Sequence, residues 1–502
     1  MRAVEHFIDG KRISGGTQSI SVTDPATGNQ VASVAVADSR TVNAAVDSAT
    51  AAHQHWKRTP PHKRAAVLSE FQQLVTDHAD ELVSVITEEH GKTLLDSRGE
   101  LQRGIENIEY AIGIAEHLKG EHSRLVGPDI DSWSEHAPVG VCVGITPFNF
   151  PVMVPMWMFP LAVACGNSFI LKPSEKVPTA GLLVAELFTK AGLPEGVLNV
   201  VQGDQSSSRL LLEHPEVKAV SFVGSTPIAK TIYTAASEGG KRVQALGGAK
   251  NHAIVLPDAD VESACNAIMG AAYGSCGQRC MALSVVISVG KNTATEITRR
   301  LKGKINDLNV GAGTGNPDMG PVNSEIQRER ILSLIQSGVD EGADLLVDGR
   351  EHPMYRQPGY YLGGTLFDNV RPGMAIYDEE IFGPVLCHIR VDTAADALQI
   401  VNGNQYGNGS CIFTRDGHSA RQFADEVDAG MVGINVPLPV PVANHSFGGW
   451  KNSRFGDLAA YGPDGVRFYT RRKTITERWH SPTESSEMNF AFPAARSPTT
   501  DP

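Results

Sequence analysis

The chain has 502 residues, 41% of them hydrophobic and 20% charged, so it can bury more than one core and is expected to form two or three domains. A formal net charge of −12 argues against nucleic acid or an anionic membrane as partner, and no uninterrupted apolar run reaches membrane-spanning length. The charged start, MRAVEHFIDGKRISGG, and an odd count of 7 cysteines predict a cytoplasmic protein with reduced thiols.

Residues 6–38 alternate apolar and polar side chains between Asp-Gly, Gly-Gly and Pro turn signals, which predicts short strands and hairpins. Residues 39–118 change to helical spacing and predict three successive helices. HSRLVGPDIDSWSEHAPVG reads as a hairpin. From residue 138 to 275 strands and helices alternate: VGVCVGITP, SFILKP, GVLNVVQG and VKAVSFVG are strands, and TAGLLVAELFTKAGLP and STPIAKTIYTAASEG are helices. This is a doubly wound α/β pattern. The run FNFPVMVPMWMFPLAVACGNSFI is apolar but interrupted by Pro151, Pro155, Pro160 and Gly166. Residues 260–440 repeat the alternation less regularly, a second α/β unit. GVRFYTRRKTITERW reads as one more alternating strand. The Ser-, Pro- and Thr-rich end is expected to be mobile.

No G-x-G-x-x-G follows any strand, so the usual dinucleotide fingerprint is missing. EEHGKTL holds a GKT, but Ile86 stands where a phosphate-binding loop needs its first glycine. Lys92 and Thr93 therefore read as an ordinary helix end. In SFVGSTPIAK a strand runs through Gly224 into a helix with Ser225 or Thr226 as cap and Pro227 in its first turn. Its N–H groups and dipole suit a phosphate, though a plain capped helix fits the same residues. ILKPSE places Lys172 and Glu175 beyond a buried strand, where ligands sit in open α/β sheets; a solvated loop fits equally.

CGQRCMALS holds Cys276 and Cys280. The compartment argues against a disulfide. A metal site is not expected, because zinc clips add a second Cys or His pair and the 16 histidines form no such cluster. A buried inert thiol remains one reading. The other is a nucleophile at Cys280, whose neighbour Arg279 favours the thiolate, while Cys276 has no charged neighbour.

ITPFNFPV, GNSFILKPSE, FVGSTPIAK, GQRCMALS and DEEIFGPVL occur in the order and spacing of the aldehyde dehydrogenase superfamily, and the chain resembles it from about residue 7 to about residue 480. The resemblance implies an NAD-binding domain (residues 1–120 and 139–250), a catalytic domain (251–440), a β oligomerisation arm (121–138 and 462–482) and a flexible tail (483–502). It implies a homotetramer or dimer. It further implies that Cys280 attacks the aldehyde and that Asn149 donates to the oxyanion with the Cys280 N–H. Thr146, Phe148, Lys172, Glu175, Ser225, Glu380 and Phe382 would hold NAD: Lys172 and Glu175 at the adenosine ribose, Ser225 at the pyrophosphate, Glu380 at the nicotinamide ribose and Phe382 beside the ring. A carboxylate at 175 would repel a 2′-phosphate and favour NAD over NADP.

Hydrolytic members carry E-L-G-G, whose glutamate activates water. Here the stretch is ALGGAKN, and Ala245 cannot take a proton. Another nucleophile is then needed, and the thiol of coenzyme A attacks thioesters without a strong base. RGIENIEYA, YGNGSCIFT and GINVPLPVPVANHSFGGWKNSRFGD are similar to the CoA-acylating branch that oxidises methylmalonate or malonate semialdehyde to propionyl- or acetyl-CoA with loss of the carboxylate. In that branch two arginines grip the carboxylate, and Arg103 and Arg279 match them. Valine or inositol breakdown would be the setting. The competing expectations are a hydrolytic aldehyde dehydrogenase with a replacement base, and a catalytically silent NAD-binding relative.

Overall fold

The computed structural model describes residues 2–16 and 18–479, so the tail segment 483–502 lies outside the described residues. Its centre is an eight-stranded sheet whose strands run in the order 454–455, 242–246, 217–223, 141–145, 168–172, 198–200, 6–8 and 11–13. The five strands from 242–246 to 198–200 are parallel to their neighbours, while both edges are antiparallel. The chain builds outward from Val141–Ile145 to one side, then returns to build Val217–Val223 and Arg242–Leu246 on the other. The order reverses beyond the carboxyl ends of Val141–Ile145 and Val217–Val223, the crevice where such sheets bind ligands.

Strand alternation shows which helix covers which face. Val141, Val143, Ile145 and Ile170 join the apolar cluster of Ala45, Val46 and Ala49 from the helix Ser39–Trp56. Cys142, Phe169 and Leu171 point the other way and share a cluster with the helix Met153–Ala164. With both faces covered, these strands are buried along their whole length, which explains their unbroken Val/Ile/Leu character.

The helix Met153–Ala164 corrects the reading of the proline-rich apolar run as interrupted. It passes through Pro155 and Pro160, and all its residues are buried. Tertiary packing outweighs the lost backbone bond, since each fully buried Leu, Phe or Met side chain contributes about 1.5–3 kcal/mol. Residues 39–118 form five helices rather than three: Ser39–Trp56, Pro61–Asp77, Ala79–His90, Leu94–Ile112 and the short Ile114–His117. The second and third part company at His78, whose ring Nδ1 lies 2.9 Å from Leu74 O and caps the first. Thr93 is likewise the N-cap of Leu94–Ile112, its hydroxyl accepting the Asp96 N–H, so the GKT lies between two helices and opens the second.

A seven-stranded sheet follows, ordered 344–347, 365–368, 385–391, 283–289, 251–255, 409–413 and 431–434, parallel except at its first pair. Strands His122–Gly127, Ile130–Pro138 and Thr470–Arg478 form a separate antiparallel sheet. The last of these starts later than its alternation suggests. Gly462–Tyr469 is a helix, with Pro463 in its first turn and Val466, Phe468 and Tyr469 buried, and the strand begins at Thr470. Asn167 ties two strands to the body at one end of this sheet: its Oδ1 accepts the N–H of Val139 and Gly140, and its Nδ2 donates to Tyr469 O. Among the described residues no helix is long and apolar enough to cross a membrane.

Candidate active site

The helix Val261–Tyr273 ends at Gly274, and the chain then makes a tight left-handed turn. Ser275, Cys276 and Gly277 have φ of 53°, 56° and 67°. For the first two this is a strained conformation costing of order 1–3 kcal/mol each, and such strain gathers at functional sites. Gly277 has no alternative: a Cβ there would lie 2.2 Å from Gly383 O. The turn delivers Cys280 just before the strand Leu283–Val289. Cys280 is the single partly exposed cysteine; the other six, Cys276 included, are buried. Two amides that sequence reasoning missed fix its backbone. Asn251 Nδ2 donates to Cys280 O at 2.9 Å and Asn408 Nδ2 at 3.1 Å. Each asparagine sits where a strand of the second sheet begins, a placement visible only once the register is known.

Electrostatics at Cys280 overturn the expectation that Arg279 produces a thiolate. Burial, with a smaller push from the Glu380 carboxylate, holds the thiol at about 12. The N–H groups of Cys280 and Met281 act in the opposite direction, and Arg279 contributes least. The reason is geometric: the Arg279 guanidinium is paired with Asp96 through Nη2 and donates to Gly270 O through Nη1. Glu380 is itself pushed up to about 7 by burial, with the Ala249 N–H, Arg330 and Lys250 opposing. A raised thiol pKa leaves the neutral form dominant below it. Alkylation of Cys280 by iodoacetamide in the cofactor-free protein is therefore expected to speed up about tenfold per pH unit from pH 6.5 to 9. Mass-spectrometric rates that plateau below pH 8.5 would contradict this.

Asn149 is buried in the loop after the strand Val141–Ile145, and its Nδ2 donates to Gln278 O at 3.0 Å. A carboxamide carries two N–H donors, so one is held and the other remains for a ligand. This bond joins the Asn149 loop to the Cys280 loop. Arg103, on the helix Leu94–Ile112, donates to Glu106 at 2.7 Å and to Val440 O at 3.4 Å. It shares no hydrogen-bond partner with Arg279. Tyr461, a residue sequence reasoning passed over, is buried and its hydroxyl donates to Pro441 O at 3.0 Å, next to the Val440 carbonyl that Arg103 reaches. Burial pushes that hydroxyl well above its ordinary range, and Arg103 opposes it. Tyr461 packs on Trp157 and Phe447, and Cys280, Phe150 and Val440 border the same apolar cluster.

Cys280 also borders a narrow cleft lined by Arg279, Glu380 and Phe382. Phe382 takes a left-handed φ of 55° and meets the Phe148 ring edge-on at 5.8 Å. Glu380 Oε1 accepts the Ala249 N–H at 3.0 Å. Thr226 Oγ1 accepts the Gly248 N–H at 2.8 Å, and a Cβ on Gly248 would lie 2.4 Å from Glu380 Oε2. The Ser225 turn and Glu380 thus meet across the ALGG stretch. Ser225 is the exposed N-cap of Thr226–Glu238, and its hydroxyl makes no capping bond. Thr146 follows the strand Val141–Ile145 and Lys172 ends its parallel neighbour; the Thr146 N–H donates to Lys172 O, and Thr146 Oγ1 is buried without a partner. Burial lowers the Lys172 pKa, and Glu175, 3.4 Å from Nζ, offsets part of that. An orphaned hydroxyl, a buried ammonium and an uncapped helix start around one crevice fit a dinucleotide. Ala245 is fully buried, packed in the apolar cluster of Val143, Ile145 and Phe222. Among the described residues no group of three or more His, Cys, Asp or Glu could hold a metal ion.

A doubly wound sheet with its crevice beside a cysteine and an amide donor defines a known class. The aldehyde dehydrogenase family profile matches residues 13–475, and the chain belongs to that family. A malonate-semialdehyde dehydrogenase of Pseudomonas aeruginosa is 56% identical over 98% of this chain and 100% of its own length. One from Halalkalibacterium halodurans is 48% identical over 95% and 98%. The crystal structure of a methylmalonate-semialdehyde dehydrogenase from Oceanimonas doudoroffii superposes with a TM-score of 0.94 at 55% identity, covering 96% of this chain and 99% of that one. A Sinorhizobium meliloti protein described as a methylmalonate-semialdehyde dehydrogenase, solved with NAD, gives a TM-score of 0.95 at 50% identity with the same coverage. The resemblance read from the motifs, and the aldehyde dehydrogenase fold with it, is borne out.

Proposed function

We propose that the protein oxidises methylmalonate or malonate semialdehyde with NAD and passes the acyl group to coenzyme A, with loss of the substrate carboxylate. The observation that carries this reading is the pairing of a partly exposed Cys280 beside the Asn149 amide with an alanine at 245, buried where hydrolytic members keep their base. Cys280 gives up its proton to solvent and its Sγ attacks the aldehyde carbon as thiolate, while the free Asn149 N–H receives the charge that grows on the oxygen. Bound NAD supplies the hydride acceptor. Thr146, Phe148, Lys172, Glu175, Ser225, Glu380 and Phe382 would hold it, with Phe148 and Phe382 walling the ring and Glu175 disfavouring a 2′-phosphate. Cys280 then carries a thioester and leaves as thiolate when the CoA thiol attacks.

Arg103 and Arg279 would bind the substrate carboxylate. Arg279 has five N–H donors, and its partners Asp96 and Gly270 O engage two, leaving the others for the ligand. The exposed edge strand Thr470–Arg478 suits the arm of a dimer or tetramer, and a cytoplasmic setting in valine or inositol breakdown agrees with the reduced cysteines.

The test is NADH formation from malonate semialdehyde and NAD. Without CoA, about one NADH per active site is expected, then near-arrest; with CoA, turnover continues. Sustained turnover to free acid without CoA would favour a hydrolytic enzyme instead.

A further inference from the structure

The GKT that matches no phosphate motif occupies a position that its sequence does not suggest. The Lys92 and Glu100 side chains are 1% and 0% exposed and paired, Nζ to Oε2 at 2.7 Å. Lys92 Nζ also donates to Asn149 O at 2.6 Å and lies 4.4 Å above the Phe150 ring. Glu100 Oε1 accepts the N–H of Val152 at 2.8 Å and of Met153 at 3.1 Å, where the buried helix Met153–Ala164 begins. The two charges therefore clamp both ends of the segment 149–153. The lysine backbone is itself held down, since a Cβ on Gly313 would lie 2.2 Å from Lys92 O. A buried ion pair adds little stability over a well-packed apolar pair. Its hydrogen bonds here go to the loop whose Asn149 side chain reaches Gln278 O in the Cys280 turn.

We propose that Lys92 and Glu100 are positioning residues that fix Asn149 at the distance and angle an aldehyde oxyanion requires. This rests on the reading of Asn149 as the oxyanion donor. Such donors act by being in place before charge develops, so a loop that drifts by about 1 Å loses much of the effect.

Three variants test it: Asn149→Ala, the neutral swap Lys92→Met with Glu100→Gln, and all three changes together. Glutamine at 100 keeps an acceptor for Val152 and Met153, so the helix start survives while the bond to Asn149 O is lost. The neutral swap is expected to slow the NADH burst about 10- to 100-fold with NAD affinity changed less than about twofold. The triple variant is expected to be no slower than Asn149→Ala, because the two act through one group. A folded swap with a wild-type burst, or effects that multiply in the triple variant, would overturn the proposal. An unchanged burst in Asn149→Ala alone would instead remove the oxyanion reading. Should the swap not fold, Lys92→Gln beside the native Glu100 is read by the same non-additivity with Asn149→Ala.

Discussion

A Cys280→Ala variant is expected to lose the NADH burst altogether, a fall of at least about 10,000-fold, while still binding NAD. The loss is chemical rather than structural. Cys280 is partly exposed, and what holds its backbone, the Asn251 and Asn408 amides on its carbonyl, does not involve the thiol. Stopped-flow NADH absorbance reads the burst, and fluorescence titration reads NAD binding. A residual burst would mean another group attacks the aldehyde. The remaining six cysteines are buried, and Cys276, the nearest in sequence, is held at φ 56° in the turn, so no substitute thiol is at hand.

Removal of the Asn149 amide is expected to give the second-largest effect. Asn149→Ala should slow the burst about 100- to 1,000-fold, or roughly 3–4 kcal/mol of barrier, with little change in the NAD dissociation constant. The one structural cost is a Gln278 carbonyl left without its donor, which a thermal melt would register as a loss of about 1–3 kcal/mol. If the variant loses NAD affinity in proportion to its rate, Asn149 serves the cofactor rather than the oxyanion.

These two candidates came from motifs that the family resemblance carries, PFNFP and GQRC, and both lie on loops. The strands 141–145, 168–172 and 217–223 were legible by themselves, since their unbroken apolar runs need no partner to be recognised. Other features were not legible. Arg279 read as a cation beside a thiol, yet Asp96, far earlier in the chain, pairs with it and leaves the thiol pushed up to about 12. Lys92 read as a helix end because its partners, Glu100 and the Asn149 carbonyl, come from a later helix and a strand-end loop. Tyr461, Asn251 and Asn408 carry no motif of their own, and their roles follow from the elements packed against them.

By itself, then, the sequence determined the α/β class and the crevice-forming alternation, and its family resemblance marked Cys280 and Ala245 as candidates, since periodicity and short motifs are properties of neighbouring residues. The tertiary structure alone decided the passage of a helix through Pro155 and Pro160, the upward push on the Cys280 thiol and the buried charges beneath Asn149. Burial and long-range charge pairing set those, and both depend on groups that folding brings together from distant parts of the chain.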